Sequence, residues 1–430
     1  MTSATAPPES SHPSHRELGR DHDLFMISPE VGRGLVTWTP RGARLRHALE
    51  EFWRAAHHAH GYEVVMTPHL GRADLWGESR QLDFHRETMF PEFDVEGSSY
   101  VAKGANCPLH MQVFRTRTRG HRELPVRLAE ISTLYRQTPA GALKGLRYAR
   151  TVSQDDSHIF CRPEDVVPEI ARYFDLTRRM LRAFGFEDLR PYLGTRDERS
   201  VPGDDTWRRA TDQLVQGLRE AGLDHREAPG GATYYAPRVG VDVVDRWGTS
   251  WPLPDLQVDY HLPRMCGVEY TGADGRRAVP VVLHRTLLGS VERFVAALLE
   301  HHGVAGLPDW LKPVHLSVLP VREGDESAAR ALADALRLDG ARVAVDDRRV
   351  PLGARSGRAR EEGVPLVVAV GPDEARTGGY RVRDRAGRRT PVSYGELSAM
   401  VRRVGRAPDP ALGAPRPGGP VRTDAATPAA

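Results

Sequence analysis

Residues 127–161 limit the possible folds of this chain more than any other stretch. Two runs of alternating apolar residues, 128–135 and 146–152, flank a segment rich in Gly, Pro, Ala and Lys. This pattern predicts two antiparallel strands joined as a long hairpin. The second run leads into a polar cluster at 154–158, inside otherwise apolar sequence. Because buried polar groups are costly unless they are paired, the cluster predicts a ligand or metal site.

Composition excludes two broad classes of protein. The 430 residues leave room for two to three domains, with a net charge of +3. A mildly basic balance does not identify a nucleic-acid partner, and the many arginines also fit a GC-rich coding sequence. Three cysteines argue against a disulfide framework, and no apolar run is long enough for a membrane span. We therefore expect a cytoplasmic protein that does not bind membranes.

Periodicity predicts helices and strands before and after the hairpin. Leu45, Leu49, Phe52 and Ala56 recur at helical spacing, which indicates a helix over 42–60. A strand is expected at 63–66. Further strands at 234–238, 257–260 and 279–284 predict an antiparallel sheet, followed by an amphipathic helix over 287–301.

The C-terminal third has a different rhythm. Short apolar strands at 314–320, 341–346 and 364–371 alternate with helical stretches at 326–338 and 355–362. This βαβαβ order predicts a separate α/β domain. The Pro/Ser/Ala-rich residues 1–14 are expected to be disordered, and the Pro/Ala/Gly-rich residues 407–430 to form a flexible tail.

Five segments together resemble one known family. They occur in this order: TPHL (67–70), NCPLH (106–110), SQDDSHIF (153–160), LHRTLLGSVERF (283–294) and VDDRRVPLGARSGRAREEGVP (345–365). Over about residues 15–406 the chain resembles the class II aminoacyl-tRNA synthetases, in the form found in threonyl-tRNA synthetases. The resemblance implies an α+β fold, with an antiparallel-sheet catalytic domain over 15–310 and an α/β anticodon-binding domain over 311–406. The helix and strand before Pro68 resemble motif 1, which implies a homodimer.

The resemblance also implies a reaction and its residues. The family activates threonine with ATP and Mg²⁺ and transfers it to threonine tRNA. Joining a carboxylate to a phosphate requires charge stabilisation, which arginine forks provide. Arg136 matches the motif 2 arginine and Arg293 the motif 3 arginine, both expected to be catalytic. The expected substrate-binding residues are Gln154, Asp156, Tyr235, Gln257 and Ser290.

A zinc site is implied at Cys107, His158 and His284, which are far apart in sequence but fall where the family's ligands fall. One thiolate and two imidazoles suit Zn²⁺ and leave an open coordination position. An open zinc that takes the amino group and hydroxyl of threonine would reject valine strongly and serine weakly. Most members carry a preceding editing domain. Because residues 1–14 leave no room for one, we expect serine misactivation without correction.

Contacts to tRNA are expected from two regions. Arg348, Arg349 and Arg355 lie on a predicted loop and helix of the C-terminal domain, and Lys144 lies in the motif 2 loop. Cationic side chains at such positions suit a phosphate backbone.

Several residues expected to face adenine differ from the family pattern. Thr138 stands where Glu is usual, Val152 where an aromatic stacks, and Tyr148 where Arg is usual. These changes leave a second interpretation open: a specialised paralogue, from a biosynthetic pathway or resistant to an inhibitor, that uses a different acceptor. A third is a non-catalytic tRNA-binding protein, against which the retained arginines and zinc ligands weigh.

Overall fold

The computed structural model describes residues 12–412, without the His85 side chain. Within this part of the chain, no helix is both long and apolar enough to cross a membrane. Thirteen α-helices are present in it: α1 His15–Asp21, α2 Pro40–Ala59, α3 Ala73–Glu78, α4 Gln81–His85, α5 Cys107–Arg115, α6 Val166–Ala183, α7 Asp204–Glu220, α8 Leu262–Met265, α9 Val291–Gly306, α10 Glu326–Leu338, α11 Leu352–Glu361, α12 Pro372–Thr377 and α13 Tyr394–Val404.

Twenty strands lie between these helices in the same part of the chain. They are β1 Phe25–Met26, β2 Thr37–Trp38, β3 Glu63–Val64, β4 Leu70–Arg72, β5 Phe93–Val95, β6 Ser98–Ala102, β7 Val126–Tyr135, β8 Thr151–Cys161, β9 Leu189–Gly194, β10 Arg226–Ala228, β11 Arg238–Val244, β12 Ser250–Asp259, β13 Tyr270–Thr271, β14 Arg277–Ala278, β15 Val281–Thr286, β16 Leu316–Pro320, β17 Val343–Val345, β18 Leu366–Val370, β19 Gly379–Asp384 and β20 Arg389–Ser393.

An eight-stranded sheet dominates the larger part of the molecule. Its strand order is β10-β9-β11-β12-β15-β8-β7-β3, antiparallel except for the two outer pairs. The predicted antiparallel sheet is therefore confirmed. The hairpin pairs β7 with β8 in continuous register, from Val126 opposite Phe160 to Tyr135 opposite Thr151. The expected second arm, 146–152, was wrong in extent, because the strand begins at Thr151 and contains the polar cluster itself.

The two faces of this sheet have different neighbours because side chains alternate along a strand. Helices α2, α6 and α9 contribute Trp53, Ile170 and Phe294 to the large hydrophobic core, which also contains Ile159 of β8. The opposite face carries Gln154, Asp156 and His158 of β8. The sheet therefore separates a packed layer from the layer that holds the polar cluster.

The C-terminal part has its own five-stranded sheet, in the order β17-β16-β18-β19-β20. The first two pairs are parallel and the last two antiparallel. A separate core forms around Leu316, Val368 and Leu397. The predicted α/β character is confirmed, while the boundary at 310/311 stays a prediction.

The predictions for the termini fall mostly outside the described residues. Residues 1–11 of the expected disordered segment and 413–430 of the expected tail lie there. Within the described part, Ser14 caps α1 with a capping box. Leu412 accepts a hydrogen bond from Arg179, 2.7 Å long, so the end of the described part is held against helix α6.

Candidate active site

A cavity of about 860 Å³ opens on the sheet face that carries the polar cluster. Strands β7, β8, β11, β12 and β15 form its floor, and the β7–β8 loop and the start of α9 form its wall. Most of the residues singled out from sequence line it: Cys107, Arg136, Thr138, Tyr148, Val152, Gln154, Asp156, Tyr235, Gln257, His284, Ser290 and Arg293. Residues from distant parts of the sequence are thus gathered around one space.

The three predicted metal ligands meet at the edge of this cavity, where Cys107 and His284 line it and His158 is buried behind them. Cys107 begins helix α5, while His158 and His284 lie directly opposite each other on the paired strands β8 and β15. Candidate ligand atoms of the three residues all lie within 4.8 Å of one another, and all three side chains are buried. Strand register explains the meeting, because directly opposed residues on adjacent antiparallel strands share a face.

In each of the two imidazoles, one nitrogen lies at hydrogen-bond distance from a neighbouring side chain among residues 12–412 and the other does not. His284 Nε2 lies 2.9 Å from Asp259 Oδ2, and His158 Nδ1 lies 2.8 Å from His110 Nδ1. The other two nitrogens, His284 Nδ1 and His158 Nε2, are buried without a partner in the described residues. Burial lowers the pKa of His158 well below its ordinary value, which favours the neutral imidazole. Two orphaned imidazole nitrogens and a thiol fit the donor set of a zinc ion.

Two of the residues that line the cavity are arginines. Arg136 follows β7, and within residues 12–412 no carboxylate lies at ion-pair distance from it. Arg293 lies in the first turn of α9 and donates to the carbonyls of Arg147 and Pro252 at 3.2 and 3.1 Å. Desolvation lowers the pKa of both guanidinium groups. Both guanidinium groups are thus partly desolvated and have no ion-paired carboxylate within residues 12–412.

The five predicted substrate-binding residues line the same cavity as the two arginines, Cys107 and His284. Asp156 Oδ2 accepts a 3.1 Å hydrogen bond from the amide of Asn106, and burial raises the pKa of Asp156. Tyr235 donates its hydroxyl hydrogen to Gln257, whose amide in turn donates to Asp255 over 2.6 Å. Gln154 bridges through its backbone to Ser290, the N-cap of α9. The five residues therefore line the cavity together with Cys107, each held by a contact of its own.

The strand predicted at 234–238 was wrong in position. Strand β11 begins only at Arg238, and Tyr234 and Tyr235 precede it in an irregular turn. Turning there places the Tyr235 ring 5.1 Å from the His284 ring. An alternating strand would have sent Tyr234 and Tyr235 to opposite faces.

Three altered positions form the wall next to Arg293. The Tyr148 ring lies over the Arg293 guanidinium, with Cζ 5.1 Å from the ring centroid. Thr138 donates its hydroxyl to the carbonyl of Ala149 at 3.1 Å, and Val152 lies opposite Leu134 in the hairpin. The wall is closed by local contacts between the two arms of the β7–β8 loop.

The predicted tRNA contacts lie elsewhere and differ among themselves. Lys144 is exposed on the β7–β8 loop. Arg348 and Arg349 are exposed and pair with Asp346 at 2.7 Å and with Glu323 at 3.2 Å. Arg355 is buried and donates to the carbonyls of Asp346 and Val350. Its guanidinium holds the loop before α11, so of the four predicted residues Arg355 is the one that is not exposed to a large ligand.

Sequence reasoning gave no role to several polar groups at the site. Asp255 pairs with Arg238 at 2.8 Å, and Asp259 holds His284. Both lie two residues from Gln257 on β12, so strand alternation could have placed them on the same face. His110 lies three residues after Cys107 on α5, so helical spacing could have placed it near the cluster.

Family models match both parts of the chain. A tRNA synthetase class II core domain (G, H, P, S and T) matches residues 90–302, and an anticodon binding domain matches residues 315–403. These matches agree with the two sheets and their separate cores.

Curated relatives and a solved structure agree with these matches. A threonine--tRNA ligase of Dehalococcoides mccartyi is 37% identical over 393 residues, covering 91% of this chain and 67% of the relative. The chloroplastic/mitochondrial threonine--tRNA ligase 2 of Arabidopsis thaliana is 38% identical, covering 88% of this chain and 58% of the relative. A crystal structure of the RNA binding domain of threonyl-tRNA synthetase from Cryptosporidium parvum Iowa II superposes with a TM-score of 0.86. It is 30% identical and covers 92% of this chain and 99% of that one.

Proposed function

The chain belongs to the threonyl-tRNA synthetase family of class II aminoacyl-tRNA synthetases, which are ligases, and from that membership we propose its reaction. It activates L-threonine with ATP and Mg²⁺ to threonyl-adenylate and transfers the threonyl group to threonine tRNA. The observation that carries the proposal is the meeting of Cys107, His158 and His284 beside a cavity that Cys107, His284 and Arg136 line together. Amino-acid recognition and phosphate chemistry then share one space.

Cys107, His158 and His284 hold a zinc ion in this proposal, through the thiolate and the two orphaned nitrogens. Bound zinc would act as a Lewis acid toward the amino group and the neighbouring hydroxyl of the substrate, which would select an amino alcohol over isosteric valine. Asp156, held by Asn106, accepts a hydrogen bond from the substrate's polar groups. Tyr235 and Gln257 close the cavity beside it, and their mutual hydrogen bond fixes their orientation.

The arginines handle the charge of the activation step. Arg136 binds the substrate carboxylate and the α-phosphate together, because its planar fork can donate to two anionic oxygens at once. Arg293 binds the nucleotide from the α9 side, and Ser290 holds the first turn of that helix by accepting from the Arg293 amide at 3.2 Å. The threonine carboxylate is already ionised at neutral pH, so no general base is needed. Positioning and charge stabilisation supply the catalysis.

Transfer to tRNA and assembly complete the proposal. Lys144 lies where it can reach the acceptor end, while Arg348 and Arg349 face the anticodon stem with their exposed charges. A homodimer forms through the exposed apolar side chains of Met66, Leu70, Phe93 and Val95. Because all three cysteines are buried and unpaired, the enzyme suits a reducing cytoplasm.

The decisive experiment charges total tRNA with threonine, serine and valine in parallel, alongside pyrophosphate exchange with each amino acid. We expect strong charging with threonine, measurable exchange with serine and none with valine. Metal analysis should give about one zinc per chain, reduced in Cys107→Ala. Equal exchange with valine and threonine would overturn the metal-based selection.

The assembly is tested separately by light scattering. Wild type should have twice the chain mass of 47.7 kDa, and Met66→Glu should shift it toward the single-chain mass. A wild-type protein that stays monomeric at micromolar concentration contradicts the dimer.

A second candidate is a specialised paralogue that activates threonine but loads a different acceptor. The stacking of Tyr148 on Arg293 favours it, because that ring covers part of the cavity wall expected to receive the nucleotide. Activation with threonine but no charging of any tRNA in the pool would select this candidate.

A further inference from the structure

A chain of buried side chains runs from the metal-ligand cluster into the protein. His158 Nδ1 lies 2.8 Å from His110 Nδ1, and His110 Nε2 lies 3.2 Å from Glu130 Oε2. Glu130 in turn accepts from the amide of Thr67 at 2.7 Å and from its hydroxyl at 2.9 Å. His158 and His110 are fully buried, and Glu130 is only 5% exposed. Every link therefore has to be satisfied within the protein.

The direction of these hydrogen bonds starts from Glu130. Burial raises the pKa of Glu130, but hydrogen bonds from His110 and Thr67 and the nearby Lys103 ammonium outweigh it, so that the pKa falls below its ordinary value. An ionised carboxylate only accepts. Lys103 donates to the Thr67 hydroxyl oxygen at 2.8 Å, which leaves the hydroxyl hydrogen for Glu130.

The acceptor role of Glu130 determines which nitrogen donates in His110 and then in His158. A neutral imidazole has one donor and one acceptor nitrogen. His110 must donate from Nε2 to Glu130, so its Nδ1 accepts. His158 must then donate from Nδ1, which leaves its Nε2 without a hydrogen. That bare nitrogen is the one that lies beside Cys107 and His284 without a hydrogen-bond partner in the described residues.

We propose that Glu130 and His110 are positioning residues that fix the tautomer of His158 and so prepare its Nε2 as a metal ligand. This inference rests on the zinc centre of the proposed function. His284 is prepared more simply, because Asp259 accepts directly from its Nε2. Helix α5 supplies both Cys107 and His110 one turn apart, so one element sets a ligand and the orientation of another.

Glu130→Gln is a sharp test because it reverses the direction of the hydrogen bonds that lead from residue 130 through His110 to His158. The Thr67 amide can only donate, so it holds the Gln carbonyl oxygen and turns the NH₂ group toward His110. His110 must then accept at Nε2 and donate from Nδ1, which places the His158 hydrogen on Nε2, where the metal binds. We expect zinc affinity to fall about 10–100-fold, the usual effect of losing an outer partner, which is observed as faster release to a chelator than in wild type.

Two further variants separate orientation from folding. His110→Leu removes the acceptor for His158, whereas His110→Asn offers an amide oxygen near the same place and should restore part of the zinc affinity. Glu169→Gln is the matched control, because Glu169 is equally buried but is paired with Arg127 at 2.6 Å instead of with the histidine chain. It should release zinc at the wild-type rate. Cobalt substitution gives a second readout, since its ligand-field absorption reports the donor set.

Three results decide the matter at one fixed pH. Faster release in Glu130→Gln with slow release in Glu169→Gln supports the inference. Wild-type release rates in a folded Glu130→Gln or His110→Leu protein overturn it and leave the zinc centre standing. A wild-type protein that holds neither zinc nor cobalt overturns the zinc centre itself, and the inference with it.

Discussion

Two groups of arginines in this molecule meet opposite surroundings. The cavity arginines, Arg136 and Arg293, are partly buried and face no carboxylate at ion-pair distance within residues 12–412. The surface arginines, Arg348, Arg349 and Arg358, are exposed and pair with Asp346, Glu323 and Glu362. Desolvation lowers the pKa of the cavity arginines, whereas a hydrogen bond with Asp346 raises that of Arg348.

The difference shows where each group can act. A desolvated cation without an anion gains much when an anionic substrate arrives, because the local dielectric is low. An exposed cation that already has a carboxylate partner gains little from any one phosphate, and salt screens that gain. Catalytic effects should therefore concentrate on single cavity arginines, and tRNA binding should be spread over many surface ones.

Replacing Arg136 should give the largest effect. Arg136→Gln keeps much of the length of the side chain and a donor but loses the charge and the fork. We expect pyrophosphate exchange to fall about 10³-fold, near the upper end for one preorganised donor. Arg348→Gln is the matched control and should exchange at the wild-type rate. A loss below tenfold in Arg136→Gln would place the phosphate contact on another residue.

The surface arginines should give a smaller and differently distributed effect. We expect the double variant Arg348→Gln/Arg349→Gln to leave pyrophosphate exchange unchanged and to raise KM for tRNA by about tenfold. The dependence of log affinity on log salt should flatten by about 1 for each arginine–phosphate ion pair that the substitutions remove. An unchanged salt slope with normal charging would exclude these side chains from the tRNA-binding surface.

Substitution of Tyr148 tests whether its ring shields Arg293 from the nucleotide. Its ring stacks on the Arg293 guanidinium, an interaction of about 0.5–1 kcal/mol. If ATP has to displace the ring, Tyr148→Ala should lower KM for ATP about two- to fivefold without changing kcat, as the loss of an interaction of that size implies. Tyr148→Phe keeps the stacking and should resemble wild type. A higher KM in Tyr148→Ala would mean that the ring stacks on the nucleotide instead.

Most of the fold was predictable because its signals are local. Alternation predicted β7, helical spacing predicted α2, and the βαβ rhythm predicted β16, β17 and β18 of the C-terminal sheet but not its antiparallel strands β19 and β20. The second arm of the hairpin was misplaced because the true strand carries Gln154, Asp155 and Asp156, which do not alternate in polarity. Their pairing depends on partners from distant segments, such as the backbone amides of Leu287 and Leu288, which hold Asp155 at 2.7 Å. No local pattern contains such partners.

The candidate site divides in the same way. Residues proposed to bear the chemistry could be named from motifs, but the residues proposed to orient them could not. His110 and Glu130 resemble an ordinary helix residue and an ordinary strand residue until β7, β8 and α5 are placed together. Arg355 shows the converse, since a cation in an arginine-rich segment is buried and serves its own loop. Register and burial decide both cases.

Lys312 is a third kind of cation, buried but without a proposed ligand. We expect its substitution to change the stability of the protein and not its activity. It donates to the carbonyl of Ala305 at 2.7 Å, and burial together with Arg385 lowers its pKa to about 7. In the unfolded chain a lysine has a pKa of about 10.4. Between the two pKa values the unfolded state binds more protons than the folded state, so the free energy of unfolding rises with pH. Below about pH 7 Lys312 is protonated in both the folded and the unfolded state, so its contribution to the free energy of unfolding no longer changes with pH.

Lys312→Met lacks this titration, so the variant isolates it. Between about pH 7 and 9, the free energy of unfolding of wild type should rise relative to the variant by up to about 1.4 kcal/mol per pH unit. Denaturant unfolding of both proteins at several pH values across this range measures the difference, and pyrophosphate exchange should not distinguish them. Parallel stability profiles over this range would mean that Lys312 stays charged in the fold. Its environment would then resemble that of the surface arginines, whose charge is fully compensated.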